Sequence, residues 1–254
     1  MPLRSAAGRG EAGAGAQAPT PLVLAPGLMC DRTVWEPLLP QLARLATCQV
    51  AEYGDANDLE QMARRLLDAA PQRFALAGHS MGGRVALEVV RAAPERVVRL
   101  ALLDTGYRAL PAGEAGEEET RKRHELFAIA EQQGVRAMAQ RWAQGMVDPD
   151  RLHDAALIAA IVSMFERKTV QTFAAQIRAL LERPDATELL ARIRVPTLVL
   201  CGRQDGWAPV RQHEEIAARI GGAATLRVIE NAGHMCTMEQ PAAVAKALLQ
   251  WLQR

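Results

Sequence analysis

The sequence predicts an α/β fold built around a mostly parallel β-sheet, and three observations support this prediction. Short, uninterrupted apolar segments recur along the chain, helical patterns separate them, and Gly or Pro follows several of them. Strands that are apolar on both faces are typical of a parallel sheet covered by helices on each side. With 254 residues, 49% of them hydrophobic, the chain is long enough to bury one such core.

Six segments are predicted as strands because they are short and apolar. They span residues 22–25, 48–51, 74–77, 97–103, 197–201 and 225–229. Helical spacing of apolar residues predicts helices at 59–69, 84–92 and 242–253. The Ala-, Gly- and Arg-containing residues 1–18 carry no strand pattern, and we expect a flexible tail there. The sheet is therefore predicted to contain about six to eight strands, with six favoured.

Residues 107–194 interrupt this alternation because they contain no strand pattern. Three helical patterns replace it, at about 120–133, 135–145 and 150–182. The last of these has a candidate break near Lys168. We expect a helical cap over the carboxyl ends of the strands, where ligands bind in such sheets. The alternative is a set of helices that only packs on the sheet, and in either case the core comprises residues 19–106 and 195–254.

The composition argues against several classes of function. The formal net charge is +1, from 30 basic and 29 acidic residues, so no strong field attracts nucleic acid or an anionic membrane. The four cysteines lack zinc-ligand spacing and indicate reduced thiols of a cytoplasmic protein. There is neither an apolar signal segment nor an apolar run of about 18 residues, so we expect no secretion and no membrane span. We expect no metal, no cofactor, and a monomer or small homo-oligomer.

The segment Gly78-His79-Ser80-Met81-Gly82-Gly83 directly follows a predicted strand and leads into a predicted helix. It contains the G-x-S-x-G pattern of a nucleophile elbow in the strand–turn–helix context that the motif requires. The turn is so sharp that the serine is strained and side chains two residues to either side would collide. Ser80 is therefore the candidate nucleophile, and the alternative is a serine in an ordinary tight turn. Because a serine hydroxyl alone is a poor nucleophile, it needs a base and a group that orients the base.

On this motif and its context, the chain resembles the α/β-hydrolases of the single-domain esterase type over about residues 21–252. In that family the triad follows in the order Ser, Asp, His. His234 lies in a Gly-His pair after the sixth predicted strand, similar to the family's histidine loop, which implies that it is the general base. Asp205 follows the fifth strand in a Gly-x-x-Asp loop, which implies the orienting acid. Asp104, at the end of the fourth strand, is the alternative acid.

Acyl transfer builds negative charge on a carbonyl oxygen, which two backbone N–H groups can stabilise as an oxyanion hole. The resemblance implies that Met81, directly after the nucleophile, and Leu28, in the loop after the first strand, donate these groups. The family usually has His-Gly before the second donor, whereas this sequence has Pro26-Gly27-Leu28. The histidine that braces the loop is thus missing, and Pro26 could brace it through its fixed φ.

Eight residues are candidates for the substrate pocket, although each could instead belong to the core: Met29, Trp35, His79, Phe127, Trp142, Met146, Phe165 and Trp207. His213 is expected on a surface helix. Together the features predict hydrolysis of a small to medium apolar carboxylic ester through an acyl-enzyme. The alternatives are a thioesterase or lactonase, a C–C bond hydrolase or perhydrolase, and a binding protein without activity.

Overall fold

The computed structural model describes residues 19–254, and the tail predicted for residues 1–18 lies outside them. Within the described residues there is one sheet of six strands, all parallel, in the order β2-β1-β3-β4-β5-β6. The strands are β1 Thr20–Ala25, β2 Ala46–Val50, β3 Phe74–His79, β4 Val97–Leu103, β5 Thr197–Gly202 and β6 Ala224–Ile229. The predicted parallel sheet and its six strands are confirmed.

Helices flank this sheet and connect its strands. They are α1 Leu39–Leu42, α2 Leu59–Ala69, α3 Met81–Ala92, α4 Glu114–Gln133, α5 Val135–Ala143, α6 Ala155–Glu166, α7 Val170–Leu181, α8 Thr187–Leu190, α9 Val210–Ile220, α10 Cys236–Glu239 and α11 Pro241–Leu252. Every residue of β3 and of β5 is buried, as expected for strands covered on both faces. No helix among residues 19–254 combines the length and apolar character needed to cross a membrane.

The region between β4 and β5 contains no strand and holds α4 to α8; we call it the insertion. The third helix predicted there begins later than expected, and its candidate break is confirmed. The helix begins at Ala155, because the Asp154 side chain accepts a hydrogen bond from the Leu157 N–H and caps it there. It then stops at Glu166, and the Thr169 side chain caps a separate helix, α7, so the break near Lys168 is real.

The start of α3 also differs from the prediction, because the helix begins at Met81 rather than at residue 84. Glycines are poor helix formers, which is why the sequence pattern placed the start later. In the structure Gly82 packs directly on the end of β1, and a Cβ there would collide with the carbonyl groups of Ala25 and Pro26. Close packing of helix on strand therefore outweighs the low helix propensity.

Parallel pairing brings the carboxyl ends of the strands to one edge of the sheet. His79, the last residue of β3, pairs with Leu103 of β4, and Leu103 pairs with Leu200 of β5. Gly202, at the end of β5, pairs with Ile229 of β6. The loops that follow β3, β4, β5 and β6 therefore meet at this edge, and they carry the polar residues singled out above.

Candidate active site

Ser80 lies in the turn between β3 and α3, with φ 56° and ψ −119°. A left-handed φ is strained for a residue with a Cβ, and the surrounding structure must hold it in place. The flanking glycines make the turn possible, because a Cβ on Gly78 would collide with the backbone of Gly82. The Ser80 side chain consequently stands at the carboxyl edge of the sheet and is only partly buried.

The structure brings Ser80, His234 and Asp205 into one hydrogen-bonded chain. His234 Nε2 lies 2.8 Å from Ser80 Oγ, and His234 Nδ1 lies 2.8 Å from Asp205 Oδ2. An ionised carboxylate can only accept hydrogen bonds, so the Nδ1–H of His234 donates to Asp205. This leaves Nε2 as an acceptor for the Ser80 hydroxyl, which is the tautomer needed to take the serine proton.

Charges at this site are set by burial and by the pairing of Asp205 with His234. Burial opposes ionisation of Asp205, but the His234 charge and the hydrogen bonds it receives hold its pKa below 3.8. Two of those bonds come from the N–H groups of Trp207 and Ala208, which donate to Oδ1 over 2.8 and 2.9 Å. Burial alone would lower the pKa of His234, and the charge and hydrogen bond of Asp205 raise it above 6.5.

Glu239, at the end of α10, fixes the loop that carries His234. Its Oε1 accepts hydrogen bonds from the N–H groups of Gly233 and Met235, over 2.9 and 3.2 Å, on either side of His234. Its Oε2 accepts the N–H of Asp148, in the insertion, over 2.7 Å. Glu239 is 3% exposed, and burial raises the pKa of its carboxyl group. One buried carboxyl group therefore ties the His234 loop to the insertion.

Met146, a predicted pocket residue, contacts the same loop through its backbone. Its carbonyl oxygen accepts the N–H groups of His234 and Met235, over 2.7 and 3.2 Å. Arg151 adds a third contact, because its guanidinium donates to the Glu239 carbonyl oxygen over 2.8 Å. The insertion and the His234 loop thus form one hydrogen-bonded unit.

Asp104 and His79 are buried behind His234. Asp104 Oδ1 accepts the N–H of Gly202 over 2.9 Å, and neither of its oxygens bonds the His234 imidazole. His79 donates from Nε2 to the backbone carbonyl oxygen of His234 over 2.8 Å. Burial lowers the pKa of His79 to about 3, so its ring is neutral. His79 therefore contacts the backbone of the His234 loop.

The two predicted oxyanion-hole donors lie on segments that adjoin Ser80. The Met81 N–H is the first of α3 and has no acceptor inside the helix. Across the part of the chain that the structure describes, the Leu28 N–H makes no hydrogen bond. Its loop lies against the serine, since a Cβ on Gly27 would stand 3.1 Å from the Ser80 Cβ.

A row of aromatic rings extends from His234 into the insertion. The Trp207 ring lies 4.9 Å from the His234 ring, and Trp142 stacks on Trp207 with centroids 5.4 Å apart at 23°. Trp142 then contacts Phe165 and Phe173, with centroid distances of 5.4 and 5.6 Å. Trp207 is 42% exposed, so the end of the row beside His234 is accessible from solvent.

The remaining pocket candidates are placed differently. Phe127 reaches the aromatic row only through Phe173, at a centroid distance of 6.4 Å. Met29 and Trp35 are fully buried in the core, and the Trp35 ring packs edge-on against His79 at 6.4 Å. Of the predicted pocket residues, Trp207 therefore lies beside His234, and Trp142 and Phe165 continue the row away from it.

Sequence reasoning overlooked Gln176 and misjudged His213. Gln176 lies in the buried stripe of α7 together with Phe173 and Leu180, and a polar residue within an apolar helical stripe is a signal that the sequence does carry. His213, expected at the surface, is fully buried on α9, and its Nε2 accepts the Thr105 N–H over 3.1 Å. Its burial lowers its pKa to about 4.

The fold and the nucleophile turn together define a class of protein, and a comparison with family models agrees with it. Residues 22–247 match the model of the Alpha/beta hydrolase family. The chain therefore belongs to the alpha/beta hydrolase family.

Individual relatives place it among hydrolases. The chain is 27% identical over 241 residues to the pimeloyl-[acyl-carrier protein] methyl ester esterase of Klebsiella pneumoniae, which covers 90% of this chain and 91% of the relative. A thermophilic esterase from Thermogutta terrifontis superposes with a TM-score of 0.81 and 28% identity, covering 92% of this chain and 89% of the other. The enol-lactonase from Burkholderia xenovorans shares the fold, with a TM-score of 0.78, 24% identity and coverage of 93% and 92%.

Proposed function

We propose that this protein is a serine hydrolase that cleaves a carboxylic ester through an acyl-enzyme. The observation that carries the proposal is the continuous hydrogen-bonded chain from Ser80 Oγ through His234 to Asp205, with both contacts at 2.8 Å. In this proposal Ser80 is the nucleophile, His234 is the general base and Asp205 orients the base. The similarity to named esterases over most of the chain supports ester hydrolysis.

Each group then has one chemical task. His234 Nε2 takes the Ser80 proton as Oγ attacks the ester carbonyl carbon, and the carbonyl oxygen becomes an oxyanion. The N–H groups of Leu28 and Met81 donate to that oxyanion. When the C–O bond breaks, His234 returns the proton to the leaving alcohol. Water, activated by the same base, then releases the carboxylic acid and restores Ser80.

The aromatic row supports an apolar substrate of small to medium size. Trp207 lies beside the base and is partly exposed, and Trp142 continues the apolar surface into the insertion. Aromatic rings provide large apolar contact areas for an acyl or alcohol group. We therefore assign the insertion the role of a cap that covers the substrate.

The chain offers a sharp test because it has three serines: Ser5, Ser80 and Ser163. In a p-nitrophenyl butyrate assay, Ser80→Ala should lose turnover by up to about 10⁶-fold, as in comparable triads. Ser163→Ala is the matched control, since Ser163 is exposed on α6, and should keep wild-type turnover. A fluorophosphonate probe should label the wild type and Ser163→Ala but not Ser80→Ala. Turnover within about tenfold of wild type in Ser80→Ala would reject the nucleophile.

A further inference from the structure

The loop after β1, residues 26–31, carries the proposed donor Leu28, and we call it the oxyanion loop. Its conformation is strained, because Met29, at its centre, has φ 61°. Residues with a Cβ adopt this region only where neighbouring groups hold them there. Without the bracing histidine of the family, other residues must supply the restraint.

The central restraint comes from the insertion. Gln176, on α7, is 5% exposed, and its side-chain Oε1 accepts the backbone N–H of Met29 over 2.7 Å. A hydrogen bond in a buried site is strong, and its loss would leave a buried N–H unpaired. The bonded N–H belongs to the strained residue itself and directly follows Leu28. Gln176 is thus placed to fix the part of the loop that presents the donor.

Two further contacts hold the ends of the oxyanion loop. At its start, the Tyr53 hydroxyl donates to the Pro26 carbonyl oxygen over 2.9 Å. At its end, Arg167 donates from Nε and Nη2 to both carboxylate oxygens of Asp31, over 2.8 and 3.0 Å. Arg167 directly follows α6, so the insertion holds the loop at its centre and at its end.

We propose that Gln176 is a positioning residue that takes over the bracing of the oxyanion loop from the absent histidine and so holds the Leu28 N–H toward Ser80. The proposal rests on the proposed function, because it assumes that an oxyanion forms beside Ser80. In consequence, the insertion sets the rate of acyl transfer as well as covering the substrate. A shift of α7 away from the core would release Met29 and weaken the oxyanion hole.

The test uses Gln176→Met, which removes the acceptor and keeps the side-chain length. Its control is Gln171→Met, the same substitution at an exposed position of α7. We expect kcat for p-nitrophenyl butyrate to fall about 10- to 100-fold in Gln176→Met, because small misplacements of a catalytic group cost this much. KM should stay within about threefold, since the lost interaction acts on the transition state. Gln171→Met should behave as wild type.

A second readout does not depend on activity. Hydrogen–deuterium exchange should be faster in the peptide covering residues 26–31 of Gln176→Met, with the rest of the sheet unchanged. An unchanged kcat with unchanged exchange would overturn the proposal, and so would a rise in KM at constant kcat, which would indicate a substrate contact. If esterase activity persists in Ser80→Ala, the proposed function fails instead, while the exchange result still reports on the bracing.

A surface variant keeps the proposal testable should Gln176→Met not fold. Arg167→Gln removes the bidentate contact with Asp31 from a half-exposed side chain. We expect a smaller fall in kcat with KM held, and faster exchange at the end of the loop. Arg178→Gln is its control, because among residues 19–254 Arg178 pairs only with Glu182, one turn away on the surface. Equal kcat and equal exchange in Arg167→Gln and Arg178→Gln would contradict control of the loop by the insertion.

Discussion

Asp205 and Asp104 follow neighbouring strands and are both buried, yet only Asp205 bonds the His234 imidazole. The pKa values of the two carboxyl groups therefore shift in opposite directions. Hydrogen bonds and the His234 charge lower the pKa of Asp205 despite its burial. Burial of Asp104 and repulsion by the charge of Asp205 both oppose its ionisation, and they raise its pKa well above 3.8. The structure therefore pairs one of these carboxyl groups with His234 and leaves the other in surroundings that disfavour its ionisation.

This difference gives the first prediction. Asp205→Asn should lower kcat by roughly 10⁴-fold, because an amide cannot hold the imidazole in the productive tautomer as a carboxylate does. Asp104→Asn keeps the shape of the side chain and leaves the bond between Asp205 and His234 intact, so it should keep kcat within about tenfold. Steady-state kinetics on a single p-nitrophenyl ester compare the two. A larger loss in Asp104→Asn would assign the acid to the end of β4.

The second prediction concerns pH. His234 must be neutral to take the Ser80 proton, so kcat/KM falls as the pH drops through the pKa of His234 in the free enzyme. That pKa is raised above 6.5 by Asp205, so the midpoint of the acid limb should lie above 6.5. In Asp205→Asn the largest charge that raises this pKa is gone while burial remains, so the midpoint of the residual activity should lie at a lower pH than in the wild type.

Rate measurements at each pH need a stability control. Enzyme held at the acidic pH and returned to neutral pH should recover full activity, which separates titration from unfolding. If the acid limb has the same midpoint in the wild type and in Asp205→Asn, the limb does not report the ionisation of His234 paired with Asp205.

The positions of the strands along the chain and the residues that follow them were predictable because they depend on local patterns. Buried strands of a parallel sheet are short and apolar, and the turn after β3 allows only glycine two residues before and after Ser80. The carboxyl ends of such strands share one edge, so Asp205 and His234 could be expected there without coordinates.

Contacts between distant segments were not predictable in the same way. Gln176 and Met29 are 147 positions apart, and the sequence does not state which acceptor a strained N–H will find. A polar residue on the apolar stripe of α7 signals a buried partner without naming it. His213 shows the same limit, since its partner Thr105 is 108 positions away. Helix starts were misplaced where a capping residue or close packing decided the boundary.

The third prediction concerns Glu239, which bonds both neighbours of His234 and the insertion. In Glu239→Gln the amide group must face the Asp148 N–H or the N–H groups beside His234, so at least one donor loses its acceptor. A buried donor left unpaired costs about 1–3 kcal/mol, and we expect the free energy of unfolding to fall by this amount. Urea unfolding measures it. Glu230→Gln is the control and should change stability little, because this exposed glutamate pairs only with Arg203 in the part of the chain that the structure describes.

The fourth prediction is that thiol reagents leave the enzyme active. Burial raises the pKa of Cys30 to about 12 and raises those of Cys201 and Cys236 as well, so these thiols stay protonated and unreactive. Cys48 is only half-buried and should be the first to react with Ellman's reagent in the folded protein. All four cysteines should react once the protein is unfolded. If Ellman's reagent rapidly inactivates both the wild type and Cys48→Ala, the other three cysteines are not buried as described.

The fifth prediction tests the aromatic row as the site of the acyl group. Trp207 and Leu152 are the exposed large hydrophobic residues of the described chain, at 42% and 37%, so they form a matched pair. Trp207 lies 4.9 Å from the His234 ring and stacks on Trp142, whereas Leu152 is in the insertion and is not part of the row. An indole that covers an acyl chain removes apolar surface from water, and the gain grows by up to about 0.8 kcal/mol with each methylene buried.

Trp207→Ala should therefore lower kcat/KM about tenfold for p-nitrophenyl octanoate and much less for the acetate. Leu152→Ala should leave both substrates unchanged, which excludes a general effect of removing surface hydrophobicity. The ratio of the two kcat/KM values cancels differences in active-enzyme concentration and in the serine chemistry, so it reports only the contact with the longer chain. If Trp207→Ala instead lowers kcat/KM equally for the acetate and the octanoate, Trp207 acts through His234 and does not contact the acyl chain, because the loss then does not depend on chain length.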